Sequence, residues 1–171
     1  MTIEEQVLKF LRDAKKVVIM GIGNVLRGDD AAGSMVAQQI ASKPLPKKVL
    51  VIDSGPTPEN YLGKIIKFNP SHILIIDTVV TGDKPGSVRL VNESQIVDAL
   101  SFSTHKPSIH MLIKYLRGSI GEVKFLILGI QPKNLAFGEE LSEEVKNAVF
   151  RVSSFLLKVL STLEGDNDLE D

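Results

Sequence analysis

The sequence predicts a three-layer α/β fold, with a mostly parallel, twisted sheet of about five strands, one antiparallel edge strand, and helices on both faces. Three observations carry this. Short apolar runs alternate with stretches of helical period along most of the chain. One run, Ile73-Leu74-Ile75-Ile76, is apolar at every position, as in a strand covered on both faces. Three predicted strands end in, or just before, aspartate, which suits parallel strands that finish at one edge.

The elements follow in order. Thr2 and Glu5 form a capping-box pattern ahead of a short helix carrying Val7, Leu8 and Leu11. A first strand is predicted from Lys16 to Gly21 and a helix from Asp30 to Ala41, with Asp29 as its N-cap. Pro44 and Pro46 stop that helix. Val49 to Asp53 reads as the second strand. Thr57-Pro58-Glu59 then reads as an N-cap with proline at the first helical position. The helix it opens ends near Phe68-Asn69-Pro70, and His72 to Asp77 is the third strand. Gly82 to Gly86 is a turn, and Ser87 to Val91 alternates like an antiparallel edge strand. A helix over Pro107 to Leu116 and a strand over Val123 to Gly129 follow. Ser142 caps a long last helix, whose apolar residues from Val145 to Leu163 keep helical spacing.

The 171 residues suffice for one domain with a sizeable core, here placed at residues 1–163. Residues 164–171 form an acidic tail, expected to be frayed and solvated. The net charge of −1 offers no broad basic face for nucleic acid. There is no cysteine, which excludes disulfides, thiolate metal sites and a cysteine nucleophile. No apolar run approaches the roughly 20 residues of a membrane span, and the start of the chain lacks a signal-peptide pattern. A cytoplasmic monomer is the expectation.

The chemistry concentrates where the strands end. Asp29 and Asp30 follow the first strand, Asp53 ends the second and Asp77 the third. Carboxylates gathered at one sheet edge raise one another's pKa unless a cation or hydrogen-bond donors offset the repulsion, and a metal ion is the simplest such cation. Each acid also has a plainer role. Asp29 can cap a helix, Asp30 can favour a positive helix end, and Asp53 can satisfy the Asp53-Ser54-Gly55 turn. Asp77 is the least easily explained as structural, because it follows a wholly apolar run. His72 begins a strand and is expected to be exposed, and His110 lies within a helix. His105 lies in a loop directly before a helix. Two carboxylates and one histidine make a workable, open set for a first-row transition metal.

Other chemistries fit less well. Gly21-Ile22-Gly23 opens like a dinucleotide loop, but the third glycine of G-x-G-x-x-G is missing and two acids stand where a pyrophosphate would sit. Asp53 is roughly placed for a ribose contact, so a Rossmann-like nucleotide-binding module stays open at this point. So does a metal-dependent peptidase of broad specificity. No Walker loop and no G-x-S-x-G elbow are present.

Four motifs together resemble one family, the hydrogenase maturation endopeptidases. Gly21-Ile22-Gly23-Asn24 with Gly28-Asp29-Asp30 and Gly33 is similar to its opening motif. Leu74-Ile75-Ile76-Asp77 resembles its second aspartate strand, and Ser103-Thr104-His105-Lys106-Pro107 its histidine loop. Gly129-Ile130-Gln131-Pro132 resembles its signature after the last core strand. The resemblance runs over about residues 17–160 in the family's order, and is greatest to the hydrogenase 3 and archaeal branch. One departure is Ala31-Ala32-Gly33, where Gly-x-Gly is common.

The resemblance implies an endopeptidase that removes a C-terminal extension from the large-subunit precursor of a nickel-iron hydrogenase after nickel insertion. The nickel belongs to the substrate. Asp30, Asp77 and His105 are implied as the metal-contacting and catalytic residues, with Asp29 as the less critical first acid. A weak carboxylate–imidazole site can touch a nickel ion already held by the precursor, so affinity distinguishes loaded from unloaded substrate. The metal would polarise the scissile carbonyl or a water, with Asp30 or Asp77 as general base. Asp53, Gly55, Thr57 and Gln131 are expected to hold the substrate peptide.

Overall fold

A computed structural model of the chain describes residues 1–91 and 106–163, with residues 106–108 described by their backbone alone. The predicted acidic tail, 164–171, and His105 lie outside the described residues. Five strands form one sheet: β1 (Val17–Ile22), β2 (Val49–Gly55), β3 (His72–Thr78), β4 (Val88–Val91) and β5 (Lys124–Ile130), in the order β2-β1-β3-β5-β4. All neighbours are parallel except β4, which runs antiparallel to β5 at the sheet edge, as its alternating sequence predicts.

Residue parity sorts the two faces. On one, Val17 and Ile19 of β1, Leu74 and Ile76 of β3, and Leu126 and Leu128 of β5 pack under α1 (Ile3–Leu11), α2 (Ala32–Ala41) and α5 (Glu143–Ser161). On the other, Val18, Met20, Ile73, Ile75, Phe125 and Ile127 pack under α3 (Leu62–Phe68) and α4 (Lys106–Ile120). Successive side chains of a strand point to opposite faces, so an unbroken apolar run serves both layers. The capping box before α1 is present, with Glu5 N donating to Thr2 Oγ1 (3.1 Å) and Thr2 N to Glu5 Oε2 (3.0 Å). Ser142 caps α5 through Val145 N, at 3.4 Å.

The strand order places the site. From β1 the chain passes through α2 to β2 on one side, then through α3 back across to β3 on the other side of β1. Because α2 and α3 cover opposite faces, the connections diverge beyond the carboxyl ends of β1 and β3, the place where open parallel sheets bind their ligands in a crevice. Gly33, in the first turn of α2, lies across this point. A Cβ there would stand 2.2 Å from Ile22 O and 2.4 Å from Ile76 O, so only glycine lets the helix rest on both strand ends.

Three local expectations are corrected. The helix after β1 begins at Ala32, and Gly28–Ala31 form a tight 3-10 turn instead. Asp29 does not cap the helix, because its carboxylate is taken by a distant loop. Thr57 makes no side-chain cap bond; its hydroxyl accepts from Asn60 Nδ2 (3.1 Å), and Pro58–Tyr61 are again 3-10.

Candidate active site

Asp29 and Asp30 are both buried in the 3-10 turn, yet they face different surroundings. The Asp29 carboxylate accepts four hydrogen bonds from the loop that follows β5. Oδ2 receives Lys133 N (2.8 Å), Asn134 N (3.0 Å) and Ser142 Oγ (2.9 Å), while Oδ1 receives Ser142 N (2.7 Å). Asp29 N returns a bond to Asn134 O at 2.8 Å. This residue therefore pins the loop between β5 and α5 against the turn. Gly28, at φ +51°, makes the approach possible, since a Cβ there would lie 2.6 Å from Asn134 O.

Asp30 turns the other way. Its backbone is fixed by Asp30 N donating to Arg27 O (3.0 Å) and Asn24 N donating to Asp30 O (3.1 Å). Gly23 admits that carbonyl, which a Cβ would meet at 2.4 Å. The Arg27 guanidinium stands 3.9 Å from Asp30 Oδ2, close enough for attraction and too far for a hydrogen bond. Arg27 also lies against the Phe137 ring, 5.3 Å from its centroid.

Asp77 is buried near the end of β3, where its Oδ1 accepts from Thr78 N at 2.8 Å. The Thr78 hydroxyl donates to Asp29 O (3.1 Å) and so ties the end of β3 to the acidic turn. Strand β3, the turn and the loop after β5 are thus joined through Asp29, whose chain neighbour Asp30 and the strand-end Asp77 belong to the two elements so tied. Burying carboxylates there costs free energy unless charge or donors compensate, and Asp29 has four donors for its share. Among the described residues, no group of three or more histidine, aspartate and glutamate side chains is arranged to hold a metal ion.

The remaining expected residues lie around this crevice. Asp53, level with Gly21 on the far side of β1, accepts from Gln38 Nε2 (2.9 Å) and Gly55 N (3.2 Å), which is the turn-satisfying role its sequence context allows. Gly55 takes φ +57° and its carbonyl accepts from Gly23 N at 3.1 Å. Thr57 opens the next turn. Gln131 is buried just past β5, and its amide is engaged at both ends: Oε1 accepts from Thr81 N (2.8 Å) and Thr81 Oγ1 (3.1 Å), and Nε2 donates to Pro132 O (3.0 Å).

His72 is not exposed as expected. Its ring is buried at the opposite edge of the sheet, under the edge of Phe10 (5.0 Å, 74°), with Nδ1 2.8 Å from Ser71 Oγ and Nε2 3.2 Å from Asp13 Oδ1. Burial holds its pKa below the ordinary imidazole value, with Asp13 opposing the shift and Lys124 adding to it. His110 is exposed on α4. Sequence reasoning missed Arg27, Thr78 and Ser142 as partners of the acidic turn. Arg27 carried a signal, lying three residues before Asp30. Ser142, 113 residues from Asp29, carried none.

Comparison with known proteins places the chain among relatives of one family. Residues 32–159 match the hydrogenase maturation protease family. A protein of Methanocaldococcus jannaschii named for hydrogenase maturation protease activity is 35% identical over 168 residues, covering 94% of this chain and 98% of that one. The hydrogenase 3 maturation protease of Escherichia coli K12 is 36% identical over 132 residues, 77% of this chain and 83% of its own. The crystal structure of the NiFe hydrogenase maturation protease HycI from Thermococcus kodakarensis KOD1 superimposes with a TM-score of 0.81 at 27% identity, over 91% of this chain and 99% of that one. By these matches the chain is a member of the hydrogenase maturation protease family.

Proposed function

We propose that this protease removes the C-terminal extension from the large-subunit precursor of a nickel-iron hydrogenase, and that nickel carried by the precursor is its recognition element. The observation that supports this reading is a pair of fully buried carboxylates, Asp30 and Asp77, on two elements that the Thr78–Asp29 hydrogen bond ties together. Buried acids of like charge favour the arrival of a cation, and the precursor supplies one. Asp30 and Asp77, completed by His105, contact the substrate's metal. The metal acts as Lewis acid on the scissile carbonyl or on a water, and one of the two carboxylates takes the proton. The Asp53–Thr57 segment, including Gly55, holds the extended peptide at the carboxyl edge of the sheet. Gln131 supports the same edge through its bonds to Thr81.

Nucleotide binding is disfavoured by the same acids, which would face a pyrophosphate with like charge. The test is the mass of the large-subunit precursor from the same organism after incubation with this protein, once nickel-loaded and once nickel-free. Loss of a C-terminal peptide from the loaded form alone is expected. Cleavage of both forms would remove nickel recognition and favour a peptidase of broader specificity. Cleavage of neither would overturn the reading.

A further inference from the structure

Two loops at the rim of the crevice are fastened to each other, yet they turn large apolar side chains to water. Gly138 N donates to Leu26 O (2.9 Å), Asp29 N donates to Asn134 O (2.8 Å), and Arg27 lies over the Phe137 ring. On this joined surface Val25 is 57% exposed, Leu26 67% and Phe137 73%. Val80, 40% exposed, stands just past Asp77 at the same sheet edge. Scattered single apolar residues are ordinary on a protein surface, whereas a contiguous set on pinned loops marks a site of contact.

We propose that this rim is the docking surface for the substrate protein itself, seating an apolar part of the large-subunit precursor next to its C-terminal segment. The proposal rests on the protease reading above. Its occupant follows from continuity with the crevice. Leu26 and Asp30 belong to one short stretch, so a main chain reaching the buried Asp30 must cross the rim, and the body of the protein bearing that chain then lies on it. The charge pattern agrees. Arg27 is turned to Asp30 and Phe137 and Lys133 is paired with Glu144 at 3.0 Å, while Glu139 and Glu140 are exposed beside them. Such a surface does not suit an anionic bilayer or nucleic acid. A second copy of the chain seated there would cover the acidic turn of both partners. Because the Asp29 bonds already hold the loops in place, docking would lose little loop entropy.

The test combines Leu26→Ser with Phe137→Ser and measures steady-state cleavage of nickel-loaded precursor, with Phe150→Ser as control. Phe150 is 68% exposed on α5 and belongs to no part of the site. The double variant should raise KM for the precursor about tenfold or more, with the loss in KM rather than kcat and thermal stability at the parental value. Phe150→Ser should behave as the parent. A parental KM in the double variant would overturn the rim and leave the protease reading intact. The same KM rise in Phe150→Ser, or a fall confined to kcat, would also overturn it. A parental dimer dissolved by the double variant, with KM unchanged, would assign the rim to a second copy and overturn the proposal. A parent that cleaves no precursor would overturn the protease reading and the rim together.

Discussion

The two edges of the sheet treat charge in opposite ways. At the amino edge, a cavity of about 770 Å³ is lined by Asp13, Lys16, Ser71, His72 and Lys124 among others. There the charges pair: Lys124 Nζ lies 3.1 Å from Asp13 Oδ2 and the His72 ring 3.2 Å from Asp13 Oδ1. The Lys124 hydrogen bond holds the Asp13 carboxyl below its usual range. At the carboxyl edge Asp29, Asp30 and Asp77 are all buried, with one arginine at 3.9 Å from Asp30. At the amino edge side chains of opposite sign satisfy one another, whereas at the carboxyl edge the Asp29 carboxylate is satisfied by three backbone N–H groups and one hydroxyl.

This contrast can be broken by mutation. The largest effect is expected from Asp29→Ala, which strands the Lys133, Asn134 and Ser142 donors that Asp29 gathers from the loop after β5. A loss of about 3 kcal/mol in urea denaturation is predicted. Asp29→Asn should lose less, since its oxygen keeps part of the set. A stable Asp29→Ala variant would show that the loop is held by other means. Gly33→Ala comes next. Its Cβ meets backbone oxygens of β1 and β3, so about 2 kcal/mol should be lost and α2 displaced from the crevice, visible as chemical-shift changes at Ile22 and Ile76.

The amino edge should respond to pH rather than to charge removal. His72 has a folded pKa below its unfolded value, so the unfolded chain takes up the proton first as pH falls. The stability this contributes is complete above the unfolded value of about 6.5, and is lost as pH falls from there through the folded value. Thermal melts of His72→Gln should show a shallower decline than the parent between about pH 7 and about pH 5. Equal slopes would contradict the assignment. Lys124→Ala, which removes an exposed partner, should move Tm by less than about 2 °C.

Much of this molecule could be read from the chain, for reasons that were local. Alternating parity along Val17–Ile22 and His72–Thr78 marks strands with two covered faces, and the Thr2–Glu5 pair is complete within one turn. The aspartates at the ends of β2 and β3 share one edge of the sheet, as predicted, because those strands run parallel. The unread features are those made by distant partners. Asp29 sits where a helix cap belongs, but its four donors come from residues 133–142. His72 begins its strand with a polar ring, and only packing shows that Phe10 and Asp13 cover it. The start of α2 at Ala32 is likewise decided by the acids being drawn into a 3-10 turn, rather than by the helix propensity of the alanines.

The central claim is that Asp30 and Asp77 act on the substrate while Asp29 holds the site. It is tested most directly by cleavage of nickel-loaded precursor with Asp30→Asn and Asp77→Asn, each first verified as folded by circular dichroism. The account predicts a fall of about a hundredfold or more in cleavage rate for each, with melting temperatures near that of the parent. Parental rates in both variants would contradict it.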